Sequence, residues 1–434
     1  GYIKMKKDAM CFSKSAKFLF NGNQVVAVNR YDGGWIRFSK ECYEYLLRGM
    51  EAGLPKEDFL EVFMDEDDKA YIKKLVDGLE KIGVVVDAEE RECEEEPQLE
   101  SVQFSITNRC NLQCKHCAAS AKGLEGDEPL DTNDIKDIID KLVPCRMKTI
   151  VLSGGEPLVR KDFFEILRYI KKKDKNVKIA LMTNALLINN DNVKDIVENV
   201  ESIDISLDGY DEESCSSIRG KNVFSPVIKN IALLQENGMK KISLSMVSIG
   251  RDYEGESKFR ELCKRLNVEP MIRRLSFTGR AKENEEYLRK LEKITQADEK
   301  VGIPIEKARD ATKACTCKAG IRMININESG FIYPCNTFDS CMEKIGNIME
   351  IESLYDFLKK RMNSISDNDM VFYRFNPYYE QICSDCNIRY FCWTCPYAAM
   401  DYRSEHSDLS DYCEGKRAYL YPIIWGEKPA QVES

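Results

Sequence analysis

Histidine, long apolar runs and net positive charge are scarce or absent in this chain of 434 residues, and each shortage excludes a class of protein. Only two histidines are present, His116 and His406, so a site built from several imidazole ligands is excluded. No run reaches the roughly 18 apolar residues of a membrane-spanning helix. Lysine and arginine (64) are outnumbered by aspartate and glutamate (73), and a net charge of −9 argues against a general nucleic-acid binder.

Cysteine, by contrast, is abundant, with 18 residues. The first residues, GYIKMKKDAM, lack the apolar core of a secretory signal, so we expect a cytoplasmic protein whose thiols stay reduced and bind metal. One group of three cysteines spans eight residues, at Cys110, Cys114 and Cys117. Nine more follow residue 314: Cys315, Cys317, Cys335, Cys341, Cys383, Cys386, Cys392, Cys395 and Cys413.

The pattern of apolar residues divides the chain into four parts. Residues 1–90 predict three short strands and three helices, the content of a winged-helix domain. Residues 91–101 are rich in glutamate and indicate a solvated acidic linker. Residues 102–304 alternate six strands with helices, which predicts an α/β fold with a parallel sheet, in the form of a partial (β/α)6 barrel. The last helix of this barrel is expected over residues 283–302. Residues 305–434 lose this periodicity and carry the later cysteines.

The first cysteine group directly follows the first strand of the predicted barrel, where the chemistry of such sheets is usually found. A zinc site would need a fourth ligand, and His116 is awkward because it adjoins Cys117. Three thiolates on a 4Fe–4S cluster would instead leave one iron open for a small-molecule ligand. Zinc or a purely structural loop remains the alternative interpretation of this motif.

At these residues the chain resembles the radical S-adenosylmethionine (SAM) superfamily, whose signature is a Cx3Cx2C loop after the first strand of a partial barrel. Ser153–Pro157 matches the family motif that binds the SAM amino group. The resemblance implies that Cys110, Cys114 and Cys117 hold a catalytic 4Fe–4S cluster and that SAM is cleaved to a 5′-deoxyadenosyl radical. It also implies these cofactor contacts: Gly154, Gly155, Glu156 and Pro157 for the amino group, Thr183, Asn184, Ser206 and Asp208 for the ribose and methionyl groups, and Arg219 for the carboxylate.

The later cysteines resemble the SPASM extension of this superfamily, which carries two auxiliary 4Fe–4S clusters. By this resemblance the outer cluster is held by Cys383, Cys386, Cys392 and Cys413. The inner cluster is held by Cys317, Cys335 and Cys395, with Cys341 or Cys315 as fourth ligand, or with an open iron. Cys395 stands one residue earlier than the family pattern, and Pro396 occupies the usual position. A pair of zinc ribbons is the competing interpretation.

The first 90 residues resemble the PqqD-like recognition element of enzymes that modify ribosomally synthesised peptides. Such modules bind a leader peptide as an added strand, and here residues 10–88 would do so; a DNA-binding winged helix is the alternative. The resemblance implies a cytoplasmic peptide-modifying oxidoreductase of the sactipeptide, ranthipeptide or another cross-linking type. It would use a flavodoxin- or ferredoxin-type electron donor and have no nucleic-acid or membrane partner.

We expect the product to be a thioether from a Cys sulfur to carbon. A carbon–carbon or carbon–oxygen cross-link is the nearest alternative. Formylglycine formation is less favoured because Asn336 stands where that branch has an Asp. The non-enzymatic alternative is a zinc-binding winged-helix regulator.

Overall fold

The structure, a computed structural model, describes residues 7–295, 305–338, 344–364, 382–393, 395–406 and 408–426. The chain forms two compact units. The terminal unit comprises residues 1–95, 301–318 and 362–434, and the central unit comprises residues 96–300 and 319–361. Within the described ranges, no helix has the length and apolar composition needed to cross a membrane.

The amino-terminal part of the terminal unit contains short strands and four helices. Its strands are β1 (Met10–Phe12), β2 (Ala16–Asn21), β3 (Gln24–Asn29), β4 (Trp35–Ser39) and β5 (Val85–Asp87). Its helices are α1 (Lys40–Glu51), α2 (Lys56–Leu60), α3 (Glu66–Lys81) and α4 (Ala88–Glu92). The strands β2–β3–β4 form an antiparallel sheet, and β1 pairs with β5. The three strands and three helices expected here are present, while the winged-helix assignment stays a prediction.

The central unit alternates strands with helices. Its strands are β6 (Ser101–Thr107), β7 (Thr149–Gly154), β8 (Lys178–Thr183), β9 (Ser202–Ser206), β10 (Ile242–Ser248), β11 (Gly250–Arg251), β12 (Glu269–Arg274) and β13 (Lys293–Ile294). Its helices are α5 (Thr132–Leu142), α6 (Phe163–Lys173), α7 (Val193–Asn199), α8 (Glu212–Arg219), α9 (Phe224–Glu236), α10 (Tyr253–Leu266), α11 (Arg280–Glu283) and α12 (Glu285–Lys290).

The remaining described elements follow residue 304. The helix α13 (Ile305–Ala311) precedes the strands β14 (Met323–Ile326), β15 (Phe331–Tyr333) and β16 (Gly346–Asn347). The last helices are α14 (Leu354–Ser364), α15 (Arg389–Cys392), α16 (Pro396–Glu405) and α17 (Ser410–Trp425).

The main sheet of the central unit has the order β12-β10-β9-β8-β7-β6-β14-β15-β16. The six predicted strands are adjacent and parallel, which confirms an α/β fold with a parallel sheet. The sequence missed its extension: β14 pairs parallel to β6, and β15 and β16 follow antiparallel. Residues 319–361, assigned from sequence to the carboxyl-terminal part, therefore belong to the central unit.

Local chemistry explains why these elements form. The N-cap of the helix α5 is Asp131. Its carboxylate accepts hydrogen bonds from the backbone N–H groups of Asn133 and Asp134 (2.7 and 2.9 Å). Its apolar residues then recur at helical spacing and are fully buried against the sheet: Ile135, Ile138, Ile139 and Leu142. In β7, Ile150 and Leu152 alternate towards this core and leave Ser153 on the opposite face.

Two sequence-based boundaries need correction. The single helix expected over 283–302 is wrong, because α12 ends at Lys290 and β13 follows, paired with β11; residues 296–304 lie outside the described chain. The expected linker 91–101 is shorter in the structure, since α4 continues to Glu92 and β6 begins at Ser101.

Candidate active site

The carboxyl ends of the parallel strands surround a cavity of about 340 Å³ within the central unit. All three cysteines of the first group line it, as do seven of the predicted cofactor contacts: Gly154, Gly155, Thr183, Asn184, Ser206, Asp208 and Arg219. A larger cavity of about 690 Å³ lies at the opposite ends of β9, β10 and β12 and contains none of the predicted site residues. The predicted residues therefore meet at one end of the sheet.

The cysteine loop, which we define as residues 108–122, is closed at its base by backbone hydrogen bonds. Cys110 N donates to Lys122 O (2.8 Å), and Lys122 N donates to Asn108 O (2.7 Å). Burial raises the pKa of the Cys110 thiol, and it raises the pKa of the Cys114 thiol to about 11. A metal must therefore displace a proton from each thiol on binding, because the thiolate is the ligand.

The glycine turn after β7 packs directly on this loop. Gly154 has φ +138°, and a Cβ there would lie 2.1 Å from Thr107 O; a Cβ on Gly155 would lie 2.3 Å from Arg109 O. The turn also donates hydrogen bonds to the same two carbonyls, from Gly155 N and Glu156 N (2.8 Å each). Only glycine allows this approach, so the sequence at 154–155 fixes the position of the loop that carries the cysteines.

Glu156 lies beneath the cavity and is completely buried. Its carboxylate accepts hydrogen bonds from Thr183 Oγ1 (2.8 Å), Asn184 N (2.7 Å) and Leu158 N (3.1 Å). Burial raises its pKa, although these hydrogen bonds act in the opposite direction. Glu156 thus holds the end of β8 in place, and neither Glu156 nor Pro157 lines the cavity.

Asp208 joins two further residues of the site. Its Oδ2 accepts hydrogen bonds from His116 Nε2 (2.8 Å) and Arg219 Nε (2.6 Å), and its Oδ1 accepts one from Val247 N (2.7 Å). Burial alone would raise the pKa of this carboxyl, but the Arg219 guanidinium and His116 outweigh burial and hold it well below the ordinary value. Asp208 and Arg219, predicted as separate contacts to SAM, are therefore paired with each other.

Sequence reasoning missed the part played by His116. Its side chain is 9% exposed, and its Nδ1 finds no hydrogen-bond partner among the described residues, although the residue lines the cavity. Arg219 Nη1 also lies 3.6 Å from Cys114 Sγ. One signal was available: His116 is one of only two histidines and stands beside a predicted ligand.

The residues of this site fit the predicted cofactors. Cys110, Cys114 and Cys117 supply three thiols at one cavity, which suits a 4Fe–4S cluster with one open iron. The buried, unpartnered Nδ1 of His116 and the polar strand ends suit a polar ligand in the same space. Cys110, Cys114 and Cys117 would hold the cluster, and the neighbouring polar side chains would contact SAM.

A second group of cysteines meets in the terminal unit. Four predicted outer-cluster ligands line a small cavity of about 40 Å³: Cys383, Cys386, Cys392 and Cys413. Lys416 and Arg417 line it too, and Arg417 Nη2 lies 3.6 Å from Cys386 Sγ. Among the described residues no three His, Cys, Asp or Glu side chains are close enough to hold a single metal ion.

The predicted ligands of the inner cluster come from both units of the chain. Cys317 belongs to the terminal unit and Cys335 to the central unit, while Cys395 immediately precedes α16. Cys341 lies outside the described residues. Cys315 is buried, which raises its pKa to about 11, and its backbone N donates to Tyr390 O. The ligands of the inner cluster therefore stay a prediction.

A family model matches a segment within the central unit. The model of the radical SAM superfamily matches residues 104–266. The GTP 3′,8-cyclase of Synechocystis sp. is 30% identical over 223 residues, which cover 50% of this chain and 67% of that protein. The mycofactocin maturase MftC of Mycolicibacterium smegmatis is 31% identical over 178 residues, which cover 41% of this chain and 45% of that protein.

A solved structure shares the fold. Native anSMEcpe with bound AdoMet and Cp18Cys peptide has a TM-score of 0.52 at 17% identity, covering 76% of this chain and 98% of that chain. The chain spans between 35% and 58% of the length of the first curated relatives that it matches. The cysteine loop and the glycine turn meet at one cavity, the family model matches residues 104–266, and the cyclase is 30% identical over 67% of its own length, so the chain belongs to the radical SAM superfamily.

Proposed function

We propose that this enzyme is a peptide maturase that oxidatively cross-links a ribosomally synthesised precursor. Relatives with different names, a GTP 3′,8-cyclase and a mycofactocin maturase, are both similar to this chain, and the family model matches residues within the central unit. The central unit therefore supports the SAM chemistry, and the choice of substrate rests on the terminal unit. The observation that carries the proposal is a groove beside one edge strand of its amino-terminal sheet.

The strand β4 forms one edge of that sheet within the described residues. Two backbone hydrogen bonds flank the pairing of β4 with β3: Asn29 N donates to Gly34 O, and Lys40 N donates to Asn23 O (2.8 Å each). They show which residues of β4 direct their backbone N–H and C=O groups towards β3. By alternation, the backbone groups of Trp35 and Arg37 face away from β3. A leader peptide would add there as a further strand.

A cavity of about 370 Å³ runs along this edge within the terminal unit. It is lined on one side by β4 and the end of α3, through Trp35, Arg37 and Ile82, and on the other by Arg309 and Lys313. The groove thus has apolar groups and three cations, Arg37, Arg309 and Lys313, against one carboxylate, Asp310, which suits a peptide with alternating apolar and acidic side chains. We propose this groove as the leader-binding site, which residues 10–88 share with the segment 309–313.

The same sheet packs on the cysteine-rich segment. Leu19, Val26 and Val28 from β2 and β3 share one core with residues of α15 and α17, namely Tyr390, Phe391, Leu420, Tyr421, Ile424 and Trp425. Cys386 and Cys392 pack against this core. The proposed leader site and the proposed outer cluster therefore belong to one compact unit, as expected if both serve the same peptide.

The proposed reaction balances with an electron acceptor near the substrate. When bound and reduced, the site-bound cluster and SAM supply a 5′-deoxyadenosyl radical that removes a hydrogen atom from the peptide. Forming a thioether then requires the peptide to lose the thiol proton to solvent and one electron to the auxiliary clusters. The cavity residues orient SAM and exclude water, and Arg219 with Asp208 keeps a charged pair beside Cys114.

The nearest alternative products are carbon–carbon and carbon–oxygen cross-links, which require the same loss of two hydrogens. Formylglycine formation is less favoured because Asn336 replaces the expected Asp. Membership of an enzyme superfamily sets aside the alternative of a zinc-binding regulator. We further propose a cytoplasmic location, a flavodoxin- or ferredoxin-type electron donor, and two auxiliary 4Fe–4S clusters.

Mass spectrometry tests the proposed function. The reconstituted, reduced enzyme is incubated with SAM and the precursor peptide encoded beside its gene. We expect the peptide to lose two hydrogens for each modification, with a variant that lacks the three cluster cysteines as the inactive control. SAM cleavage without any change in peptide mass would contradict the proposal.

A further inference from the structure

The outer half of the cysteine loop depends on contacts from outside the loop. Within residues 114–121, Cys117 N and Ser120 N make only long hydrogen bonds, to Cys114 O and Cys117 O (3.3 Å each). The base of the loop is closed by Asn108, Cys110 and Lys122, several residues away. Some other part of the central unit must therefore hold the segment that carries Cys114 and Cys117.

Arg280, the first residue of α11, makes three of these external contacts. Its backbone N donates to Cys117 O (2.9 Å), and its Nη1 donates to Cys114 O (3.2 Å). Its Nη2 donates to Ala121 O. Two of the three acceptors are the main-chain carbonyls of predicted cluster ligands, and the side chain contacts neither sulfur atom in the described structure.

The preceding residue allows this approach. Gly279 has φ +53°, and a Cβ there would lie 2.2 Å from Ala118 O. Further along, Asn284 Nδ2 donates to Lys115 O (3.3 Å), and the Lys115 ammonium lies 3.3 Å from the centre of the Tyr287 ring. The segment 279–287 therefore contacts the cysteine loop at several points between Cys114 and Ala121.

We infer that Arg280 is a positioning residue for the SAM-binding cluster, acting through main-chain carbonyls of the cysteine loop. Its guanidinium binds the carbonyls of Cys114 and Ala121, which flank Cys117, and its backbone N–H binds the carbonyl of Cys117. A planar guanidinium can bind two carbonyls at a fixed separation, and a lysine ammonium has no such fork. Fixing the carbonyls of Cys114 and Ala121 holds the segment between them and so sets where the thiolates of Cys114 and Cys117 can meet the cluster. The contacts resemble the outer interactions that orient the ligands of a metal site. No feature of the sequence, and neither the family match nor the relatives, assigned Arg280 a role.

The test compares R280Q and R280K with the wild-type full-length enzyme after anaerobic reconstitution. Lys282→Gln is the matched control, since Lys282 is an exposed cation on the same short helix. The readout is the electron paramagnetic resonance signal that shifts when SAM is added, followed during exposure to an iron chelator. This signal reports on the SAM-binding cluster separately from any auxiliary cluster and independently of turnover.

In R280Q we expect the SAM-sensitive signal to be lost about tenfold faster than in wild type, with a changed line shape. R280K should lie between the two, because an ammonium retains the charge without the fork, and K282Q should match wild type. If R280Q folds poorly, the rate at which R280K loses the SAM-sensitive signal is compared with the rates of wild type and K282Q, and this comparison alone tests the inference. Wild-type loss rates in R280Q and R280K would overturn the inference, as would an equal acceleration in K282Q.

Discussion

At the scale of single residues, the site is held together by close approaches that leave no room for substitution. The backbone of the cysteine loop, the glycine turn and the buried carboxylates of Glu156 and Asp208 are each tied to a neighbour by a hydrogen bond or by contact. Two predictions belong to this scale, and both concern residues that the sequence had identified.

Replacing Gly155 by alanine should disrupt the cysteine loop. The added Cβ would lie 2.3 Å from Arg109 O, so the backbone must shift, at a cost of about 1–3 kcal/mol in the free energy of unfolding. Gly123→Ala is the matched control, because nothing lies within 4 Å of a Cβ at that position. Denaturant unfolding and iron content measure the difference. Equal stability and iron in the two variants would contradict the structure of this turn.

Glu156 should make SAM binding depend on pH. Burial raises the pKa of this carboxyl above its ordinary value of 4.5, so the folded protein retains a proton that the unfolded chain releases. The contribution of Glu156 to the free energy of unfolding accordingly falls as pH rises from the ordinary pKa of the unfolded chain to the raised pKa of the folded protein. The carboxylate accepts hydrogen bonds from Thr183 and Asn184, which line the cavity, better than the neutral acid does, so SAM should bind more tightly as pH rises.

The variant E156Q should remove this pH dependence and weaken SAM binding by about tenfold, because the interaction with a charged group is lost. Glu165→Gln is the control, since Glu165 is a half-exposed carboxylate on α6 paired with Lys136. Equilibrium binding of SAM across mildly acidic to mildly alkaline buffers provides the measurement. An E156Q profile parallel to that of wild type would show that Glu156 does not carry the effect.

At the scale of helices and strands, sequence periodicity predicted the parallel sheet well. The six strands with alternating or continuous apolar residues were found because their helices follow at regular intervals. β14, β15 and β16 were missed because they are only two to four residues long and lie in a cysteine-rich segment without periodicity. Their place beside β6 is decided by pairing across the sheet, which local sequence does not encode.

The site shows the same limit. The motif residues were predictable because their spacing places them after successive strands, and ten of them, the three cluster cysteines included, line one cavity. Arg219 lies only 11 residues after Asp208, but the sequence does not show that the helix α8 brings its side chain back to that carboxylate. The pairing of Asp208 with His116 was not predictable, since these two residues lie far apart in sequence and converge only through the tertiary fold. Arg280 was missed for the same reason.

The helix α17 should be needed for the stability of the terminal unit. Trp425 is 1% exposed, and its Nε1 donates to Asn387 O (3.2 Å), so W425A should cost about 3–5 kcal/mol. Tyr419→Ala is the control, because Tyr419 is 64% exposed on the same helix and should change stability by less than about 0.5 kcal/mol. Hydrogen exchange should show faster exchange in the β2–β3 hairpin of W425A alone. If hydrogen exchange in the β2–β3 hairpin were unchanged in W425A, this would contradict the hydrophobic core that β2 and β3 share with α17.

At the scale of the whole molecule, the two units divide the proposed tasks. The central unit carries the SAM site, and the terminal unit carries the leader groove and the four outer cysteines. This division makes the two activities separable by mutation.

The double variant C383A/C386A should still cleave SAM but form no modified peptide, because the proposed electron acceptor is lost. Iron content should fall from about twelve atoms per chain, for three 4Fe–4S clusters, to about eight.

Replacing Cys110, Cys114 and Cys117 instead should abolish SAM cleavage and leave the auxiliary iron in place. Wild-type iron near four atoms, or full product from C383A/C386A, would refute the proposed auxiliary clusters.

The distribution of tryptophan gives the molecule a built-in optical reporter. The chain has three tryptophans, Trp35, Trp393 and Trp425, and all of them belong to the terminal unit. Trp35 borders the groove along β4, and Trp393 borders the cavity of the outer cysteines. Intrinsic tryptophan fluorescence should therefore change when a peptide docks or when the outer site is loaded with metal. Binding events confined to the central unit should leave this fluorescence unchanged.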